Sequence, residues 1–370
     1  MIAPVTRESK IALVALLRAD GIGNRRATEL IKQFGSLDRL FSAPAGEISA
    51  ALNQPLSIGR AVHQAGRDLA KAGEVVAKAE KCGARILTWW DDDYPTRLKN
   101  IPDAPLILYC RGLTSPLYDY SVAVVGTRAP SEHGKRLGFR IGCELAQAGV
   151  TVVSGLAVGV DSEAHNGALT AGGRTVAVLG TGIDVVYPST NRLLFERIVE
   201  QGAVMTDYPP GQGPEPHNFP TRNRIISGIS LGVVVVEAGL KSGALITARY
   251  AIEQGRDLFA VPGPAGMPRS IGVNRLIKDG AGKMVESAAE IIEALRSPLA
   301  PVMNVAATLA LPKLPEREGK LYALLETGAV LIDELIQKSG MGAVEVNQLL
   351  TAMQIQGLVR RYPGAKIGRA

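Results

Sequence analysis

The sequence predicts an α/β protein whose centre is a Rossmann-like, doubly wound parallel sheet. Short runs of strand-forming residues begin near residue 85, and several are continuously apolar, as strands buried on both faces are. From Val122 onward, stretches with helical periodicity lie between most of these runs, for example Ser131–Ala148 and Arg192–Glu200. This alternation is typical of βαβ units, and therefore of a parallel sheet covered by helices.

Eight runs are predicted to be strands, and together they define a Rossmann-like domain over residues 83–297. The runs are Ile86–Trp90, Leu106–Cys110, Val122–Val125, Thr151–Val153, Thr175–Leu179, Ala203–Thr206, Val233–Val236 and Leu258–Val261.

The residues on either side of this domain predict two smaller helical domains. Residues 1–82 contain short apolar helices, one of which follows Gly21-Ile22-Gly23, and they resemble a SAM or helix-hairpin-helix domain. Residues 298–315 are rich in proline and predict a linker. Residues 316–370 contain three helical segments and a short hairpin, which is the pattern of a winged helix.

Composition narrows the functional classes. The chain of 370 residues is 46% hydrophobic and 21% charged, as globular proteins usually are. We find no transmembrane stretch, no secretory signal and no CxxC pair, so we expect a cytoplasmic protein without metal, cofactor or membrane contact. The net charge of +6 lies in the flanks, because residues 83–311 hold 21 charges of each sign. A nucleic-acid site in the centre therefore requires a local basic cluster.

The turn before the second helix is a first candidate contact with DNA. Gly21 and Gly23 allow backbone N–H groups to point outward at a helix start, where they suit a phosphate. Arg25 and Arg26 add positive charge. These four residues are predicted to contact a DNA backbone, and the alternative is a plain helix–helix turn with surface arginines.

Several turns after the predicted strands carry cations or glycines that suit an anion. Gly126-Thr127-Arg128 precedes a helix start, Lys241-Ser242-Gly243 resembles an anion nest, and Arg222-Asn223-Arg224 precedes an apolar run. Turns after parallel strands meet at one edge of the sheet, so we expect one basic crevice there. The predicted phosphate-binding residues are Gly126, Thr127, Arg128, Lys135, Ser154, Gly155, Arg222, Asn223, Arg224, Lys241, Ser242 and Gly243.

The segment after the fourth predicted strand admits two interpretations. Gly155 and Gly159 are expected to let the backbone approach a ligand closely. Asp161 and His165 lie four residues apart on one helix face and could form an acid–base pair. Since no nucleophile accompanies them, we favour a structural role in which Asp161 caps the helix and His165 hydrogen-bonds within the fold. No catalytic residue is predicted.

Six motifs in order resemble the DprA/Smf family. They are Val-Gly-Thr-Arg (125–128), Ser-Gly-Leu-Ala-x-Gly-Val-Asp-x-x-Ala-His (154–165), Leu-Gly-Thr-Gly-Ile-Asp-Val-Val-Tyr-Pro (179–188), Phe-Pro-x-Arg-Asn-Arg-Ile-Ile-Ser-Gly (219–228), Lys-Ser-Gly-Ala-Leu-Ile-Thr-Ala (241–248) and Phe-Ala-Val-Pro-Gly (259–263).

The resemblance implies a DNA-binding protein and not an enzyme. Members of the family bind and protect single-stranded DNA during natural transformation, load the RecA recombinase onto it, and dimerise through the Rossmann domain. The wider superfamily includes phosphoribohydrolases, so a nucleotide-processing enzyme is the alternative. Their glutamate in a PGGxGTxxE segment has no equivalent at 241–248, and Glu237 precedes that turn.

Overall fold

The computed structural model describes residues 6–113, 118–308, 316–325, 330–355, 359–362, 364 and 366–369. The chain divides into two compact units, Met1–Ala307 and Thr308–Ala370. No helix in these described ranges is long and apolar enough to cross a membrane.

The N-terminal part of the first unit is helical, as predicted. Its second helix begins after Gly23 and ends at Gly35, whose φ of 76° is the left-handed conformation that glycine tolerates best. Residues 56–81 form two helices that meet at Asp68. The helices are α1 (Arg7–Leu17), α2 (Asn24–Phe34), α3 (Leu37–Ser42), α4 (Ala45–Ala51), α5 (Leu56–Arg67) and α6 (Leu69–Lys81).

A nine-stranded sheet follows, and each of the eight predicted runs overlaps one of its strands, with ends shifted by at most two residues. The strands are β1 (Arg85–Thr88), β2 (Ile107–Gly112), β3 (Ser121–Val125), β4 (Thr151–Ser154), β5 (Thr175–Val178), β6 (Ala203–Thr206), β7 (Gly232–Val235), β8 (Asp257–Ala260) and β9 (Lys283–Met284). Their order is β1-β2-β6-β5-β4-β3-β7-β8-β9.

The seven strands β3 to β9, numbered along the chain, are parallel to one another, which confirms the predicted fold class. The edge formed by β1 and β2 differs. Strand β2 pairs antiparallel with both β1 and β6. No α-helix lies between β1 and β2 among the described residues, and a parallel crossover usually requires one. Strand β9 escaped prediction because Lys283 and Met284 are both exposed, so the strand has no apolar pattern.

Helices cover both faces of the sheet, and alternate side chains of β3 pack against helices on opposite faces. Val122 and Val124 belong to a cluster with residues of α7 and α8, whereas Ala123 and Val125 belong to a cluster with residues of α10 and α11. The helices of this part are α7 (Glu132–Gln147), α8 (Val160–Thr170), α9 (Arg192–Gln201), α10 (Asn218–Ile229), α11 (Ala244–Glu253), α12 (Ile271–Lys278), α13 (Ala288–Ala294) and α14 (Arg296–Thr308).

Helix α14 corrects the predicted linker at 298–315. The first part of this segment is helical, because Leu299 is fully buried in the core cluster that contains α7, and Val302 packs beside it. Burial of apolar side chains compensates for Pro301, which lacks the N–H that a helix interior requires. Residues 309–315 lie outside the described ranges.

The second unit contains the predicted three helices and a small sheet. Its elements are α15 (Glu316–Ala323), β10 (Val330–Leu331), α16 (Ile332–Ser339), α17 (Ala343–Ile355), β11 (Val359–Tyr362) and β12 (Lys366–Arg369), with strand order β10-β12-β11. Leu321, Leu335, Val346, Leu350 and Ile367 form its buried core.

Candidate nucleic-acid interface

An open crevice of about 910 Å³ lies at the carboxyl ends of β3 and β7. The strand order reverses between these two strands, and this switch point is where open α/β sheets usually bind ligands. The turn after β3, the turn before α11 and the first turns of α10 form its walls. Polar and aromatic residues that line it are Thr127, Arg128, Asp161, Tyr187, Phe219, Arg222, Asn223, Lys241, Ser242, Thr247 and Arg269.

Arg128 and Lys241, which were both predicted from the sequence, are cations of the crevice without an ion-pair partner among the described residues. Both side chains are exposed, and no carboxylate of the described residues lies within 4 Å of either. The Arg128 guanidinium lies 5.4 Å from the ring centre of Phe219, and Phe219 contacts Tyr187 at a centroid distance of 5.4 Å. This wall therefore combines a cation with two aromatic rings.

The Lys241-Ser242-Gly243 turn opens the N-terminus of α11 toward the crevice. The Ser242 hydroxyl accepts the N–H of Ala244 at 3.3 Å, and the Asn223 amide donates to the Gly243 carbonyl at 3.3 Å. A helix N-terminus carries a partial positive charge. This turn thus supplies Lys241 and a helix dipole to the same wall.

The N-terminus of α7 is not available to a ligand, contrary to the sequence-based expectation. The Glu237 carboxylate accepts the Ser131 N–H at 2.9 Å and the Ser131 hydroxyl at 2.5 Å, and the Ser131 hydroxyl accepts the N–H of Gly134 at 3.0 Å. An internal carboxylate therefore takes the position that an anion would occupy at this helix start.

Arg222 lines the crevice, but its guanidinium is held by the protein. The side chain is 3% exposed and donates to the carbonyls of Gly155 and Val178. Burial lowers the pKa of Arg222 to about 10, a value at which it stays charged near neutral pH. The charge of Arg222 therefore acts from within the wall, and its contact with a phosphate stays a prediction.

Arg224 does not belong to the crevice. Its guanidinium pairs with Asp207 at 2.7 Å and Asp103 at 3.1 Å, and the residue is 5% exposed. Although burial alone lowers the pKa of Arg224, the two carboxylates raise it above its ordinary value. Its predicted phosphate contact is corrected, because the guanidinium is buried, is held by two carboxylates and does not line the crevice.

Lys135 and Ser154 also lie apart from the crevice. Lys135 pairs with Glu132 at 2.7 Å on α7, and the buried Ser154 hydroxyl donates to the Val124 carbonyl at 2.7 Å. Neither residue lines the cavity at the switch point. The structure therefore places both residues outside the crevice, and the phosphate contact of Lys135 stays a prediction.

The glycines after β4 serve packing within the protein. A Cβ on Gly155 would lie 2.7 Å from the Arg222 guanidinium, and one on Gly159 would lie 2.4 Å from the Thr127 carbonyl oxygen. The missing side chains therefore leave space for the Arg222 guanidinium and the Thr127 carbonyl group, and not for a ligand.

Asp161 and His165 have structural roles. The cap residue of α8 is Gly159, so the predicted cap is wrong, and Asp161 instead accepts the Gly155 N–H at 3.1 Å. The His165 Nδ1 lies 2.6 Å from the Thr175 hydroxyl, which confirms its predicted bond within the fold. Burial lowers the pKa of His165 to about 3, so the ring is neutral.

The N-terminal hairpin divides its two arginines between different roles. Gly21 adopts φ 76°, and its carbonyl accepts from Arg26 at 2.6 Å, while Arg26 also donates to Gln54 at 2.9 Å. Arg26 therefore braces the hairpin. Arg25 is exposed and lines two surface cavities. Gly21 and Gly23 line one of these two cavities.

Arg269, which was not predicted from the sequence, lines the crevice from the loop after β8. Its Nε donates to the Ala129 carbonyl at 2.6 Å, so the loop is fixed beside Arg128. The available signal was the Val261-Pro262-Gly263 turn, which ends a parallel strand at this same edge.

Comparison with known proteins gives the family. Residues 85–296 match the family model for DNA recombination-mediator protein A. The chain belongs to the DprA/Smf family. Residues 305–365 match the DprA winged helix domain, which agrees with the fold predicted for the second unit.

Similar proteins of the DprA/Smf family match large parts of the chain. It is 41% identical to protein Smf of Escherichia coli over 74% of this chain and 74% of the relative, and 44% identical to DprA of Streptococcus pneumoniae over 55% and 71%. The solved S. pneumoniae DprA is similar with TM-score 0.66 and 33% identity over 78% of this chain and 97% of that one. A Helicobacter pylori DprA, described with a single-stranded DNA binding mode, is similar with TM-score 0.52 and 30% identity over 58% and 96%.

Proposed function

We propose that this protein binds single-stranded DNA in the crevice at the switch point, mainly through phosphates. The observation that carries the proposal is the group of three exposed cations, Arg128, Lys241 and Arg269, that line one cavity beside the N-terminus of α11. Cations without internal carboxylate partners attract phosphates, and such binding depends little on base sequence. The H. pylori relative, which is described with a single-stranded DNA binding mode, supports this ligand.

Aromatic side chains favour single strands over duplex DNA at this site. Phe219 and the exposed Tyr187 lie in contact beside Arg128. Unpaired bases stack on such rings, whereas bases in a duplex are already stacked on one another. The crevice can thus bind phosphate and base at adjacent points.

We further propose that the bound strand is protected and transferred to the RecA recombinase during DNA uptake and recombination in the cytoplasm. This step, and a homodimer formed through the Rossmann domain, rest on the family resemblance. Leu240 and Ile252, which are 55% and 51% exposed, are candidate dimer contacts. Light scattering at several protein concentrations tests the dimer, and RecA filament formation on coated single strands tests the transfer.

The alternative, a nucleotide-processing enzyme, has less support. Glu237 is the acidic residue closest in sequence to the Lys241 turn, and both of its oxygens bind Ser131. It is therefore not directed at a sugar. Incubation with nucleoside monophosphates, with release of free base as the readout, tests the enzyme directly, and we expect no release.

A binding titration tests the main proposal. Fluorescence anisotropy of a labelled single strand is measured with wild type and with Arg128→Ala/Lys241→Ala, and unlabelled duplex serves as competitor. We expect preference for the single strand and weaker binding by the double variant. Equal affinity of the two proteins would assign the contact to another part of the chain.

A further inference from the structure

The only two tryptophans of the chain are adjacent, and they line a second cavity in the first unit. Trp89 and Trp90 follow β1, and their rings meet edge to face with centroids 5.7 Å apart. The cavity measures about 690 Å³ and lies between these rings, α2 and the segment 99–106. Both rings are partly exposed. We call this cavity the tryptophan groove.

The groove opens at the same edge of the sheet as the crevice. Strand β2 is antiparallel to β6 and to β1, so β1 ends at the edge where β6 and the other parallel strands end. Asn24 at the start of α2 accepts the N–H of Leu106 at 3.0 Å, which ties the hairpin to this edge. Five strand spacings separate β1 from β3, or roughly 24 Å. A single strand of a few nucleotides spans this distance.

Cations surround the two rings. Arg25 and Lys32 extend from α2 with exposed side chains, and neither has a carboxylate partner within 4 Å among the described residues. The Lys99 ammonium lies 5.6 Å from the Trp89 ring centre. Of the two acidic residues in the lining, Glu29 is exposed and Asp103 is bound by Arg224. Free cations next to aromatic rings are the usual components of a single-strand site.

Trp90 is the better placed ring for an incoming base. Trp89 packs against the apolar clusters on both sides of the sheet edge, whereas Trp90 packs against one of them. Trp89 therefore forms the wall, and Trp90, which packs against a single cluster, is the ring that we assign to the base.

We propose that the tryptophan groove is a second binding site for the same DNA strand, with bases stacked on Trp90 and phosphates held by Arg25 and Lys32. The inference rests on the proposed function, because the strand that leaves the crevice supplies the ligand. An acidic peptide would satisfy the cations too, but the shared sheet edge favours nucleic acid.

Intrinsic fluorescence tests this proposal, since both tryptophans lie in the groove. Unlabelled oligothymidylate of about 20 nucleotides is added to the full-length protein. We expect strong quenching by the oligonucleotide and little by an abasic oligonucleotide of equal length and charge. Equal quenching by both ligands would overturn stacking, and quenching by an Asp/Glu-rich peptide alone would assign the groove to a protein partner.

Variants separate the groove from the crevice. Trp90→Ala should weaken binding of the labelled oligonucleotide about 5-fold or more, because stacking on one ring has this effect. Tyr250→Ala, which removes an aromatic ring that lines neither the groove nor the crevice, is the matched control and should bind like wild type. Circular dichroism and melting confirm that both variants are folded.

The outcomes distinguish the two proposals. If anisotropy reports binding in wild type but tryptophan fluorescence is unchanged, the groove proposal is wrong and the crevice remains. If neither signal changes with DNA, the proposed function itself fails. If Arg25→Ala/Lys32→Ala and Trp90→Ala leave affinity unchanged, the groove does not hold the strand.

Discussion

The carboxylate of Glu237 accepts both the backbone N–H and the hydroxyl of Ser131, at 2.9 and 2.5 Å. This pair joins the turn after β7 to the start of α7 and neutralises that helix start from within the protein. The start of α11, beside Lys241, remains open to the crevice. The charge pattern of the site therefore depends on an internal cap as much as on the free cations.

The cap makes a prediction about Gly134. A Cβ at this position would lie 2.5 Å from the Glu237 carboxylate carbon, so Gly134→Ala should displace the carboxylate. Glycine to alanine in a helix normally stabilises by about 1 kcal/mol. Here we expect net destabilisation of about 1 kcal/mol, since bonds to a charged group contribute about 1.5–3 kcal/mol. Urea denaturation measures the change.

A second background gives the control. In Glu237→Ala the obstructing carboxylate is absent, so Gly134→Ala should become stabilising. A change of sign between the two backgrounds supports the cap, and the same sign in both would refute it.

Arg224 should be needed for stability and not for DNA binding. It is 5% exposed and neutralises Asp207, whose side chain is 13% exposed. Arg224→Met leaves this carboxylate without its partner, and we expect a loss of about 3 kcal/mol in the free energy of unfolding. Thermal denaturation and anisotropy under folded conditions measure the two effects. Unchanged stability with weakened DNA binding would restore the phosphate contact that the sequence suggested.

His165 predicts a pH dependence of stability. Burial lowers its pKa to about 3 in the folded protein, against the usual histidine value of 6.5. Between these values the unfolded chain binds a proton that the folded chain does not, so stability falls as the pH falls from 6.5 toward 3. His165→Asn, which keeps a donor for Thr175, should flatten this fall by up to about 1.4 kcal/mol per pH unit. An identical pH profile for the variant would show that folding does not lower the pKa of His165.

The sequence predicted the strands well because a buried parallel sheet leaves a strong local signal. Val233–Val236 is apolar throughout and flanked by turns, and the observed strand is Gly232–Val235. The two exposed residues of β9 carry no such signal. The antiparallel pairing of β1 and β2 could not be predicted either, since an apolar run does not indicate the direction of its neighbouring strand.

The site was predicted less completely, because the acidic partner of a cation can lie far from it along the chain. Arg128 and Arg224 look equivalent as arginines near glycines, yet Arg224 meets Asp103, 121 residues away, and Arg128 meets no acid among the described residues. Arg269 joins the crevice only because its loop folds back onto Ala129. Such pairings are decided by the packing of distant segments.

The central claim is that free cations of the crevice hold DNA phosphates, and the salt dependence of affinity tests it most directly. The slope of log K against log salt concentration is measured for wild type, for Arg128→Ala/Lys241→Ala, and for Arg249→Ala/Arg275→Ala. The last variant removes two exposed arginines that are paired with Glu253 and Asp279 and do not line the crevice.

The account predicts a slope shallower by about 1.4 for the crevice variant, since each phosphate contact on a single strand contributes about 0.7. The control variant should retain the wild-type slope. Equal slopes for wild type and the crevice variant, or equal losses in both variants, would contradict the assignment of the crevice as the DNA site.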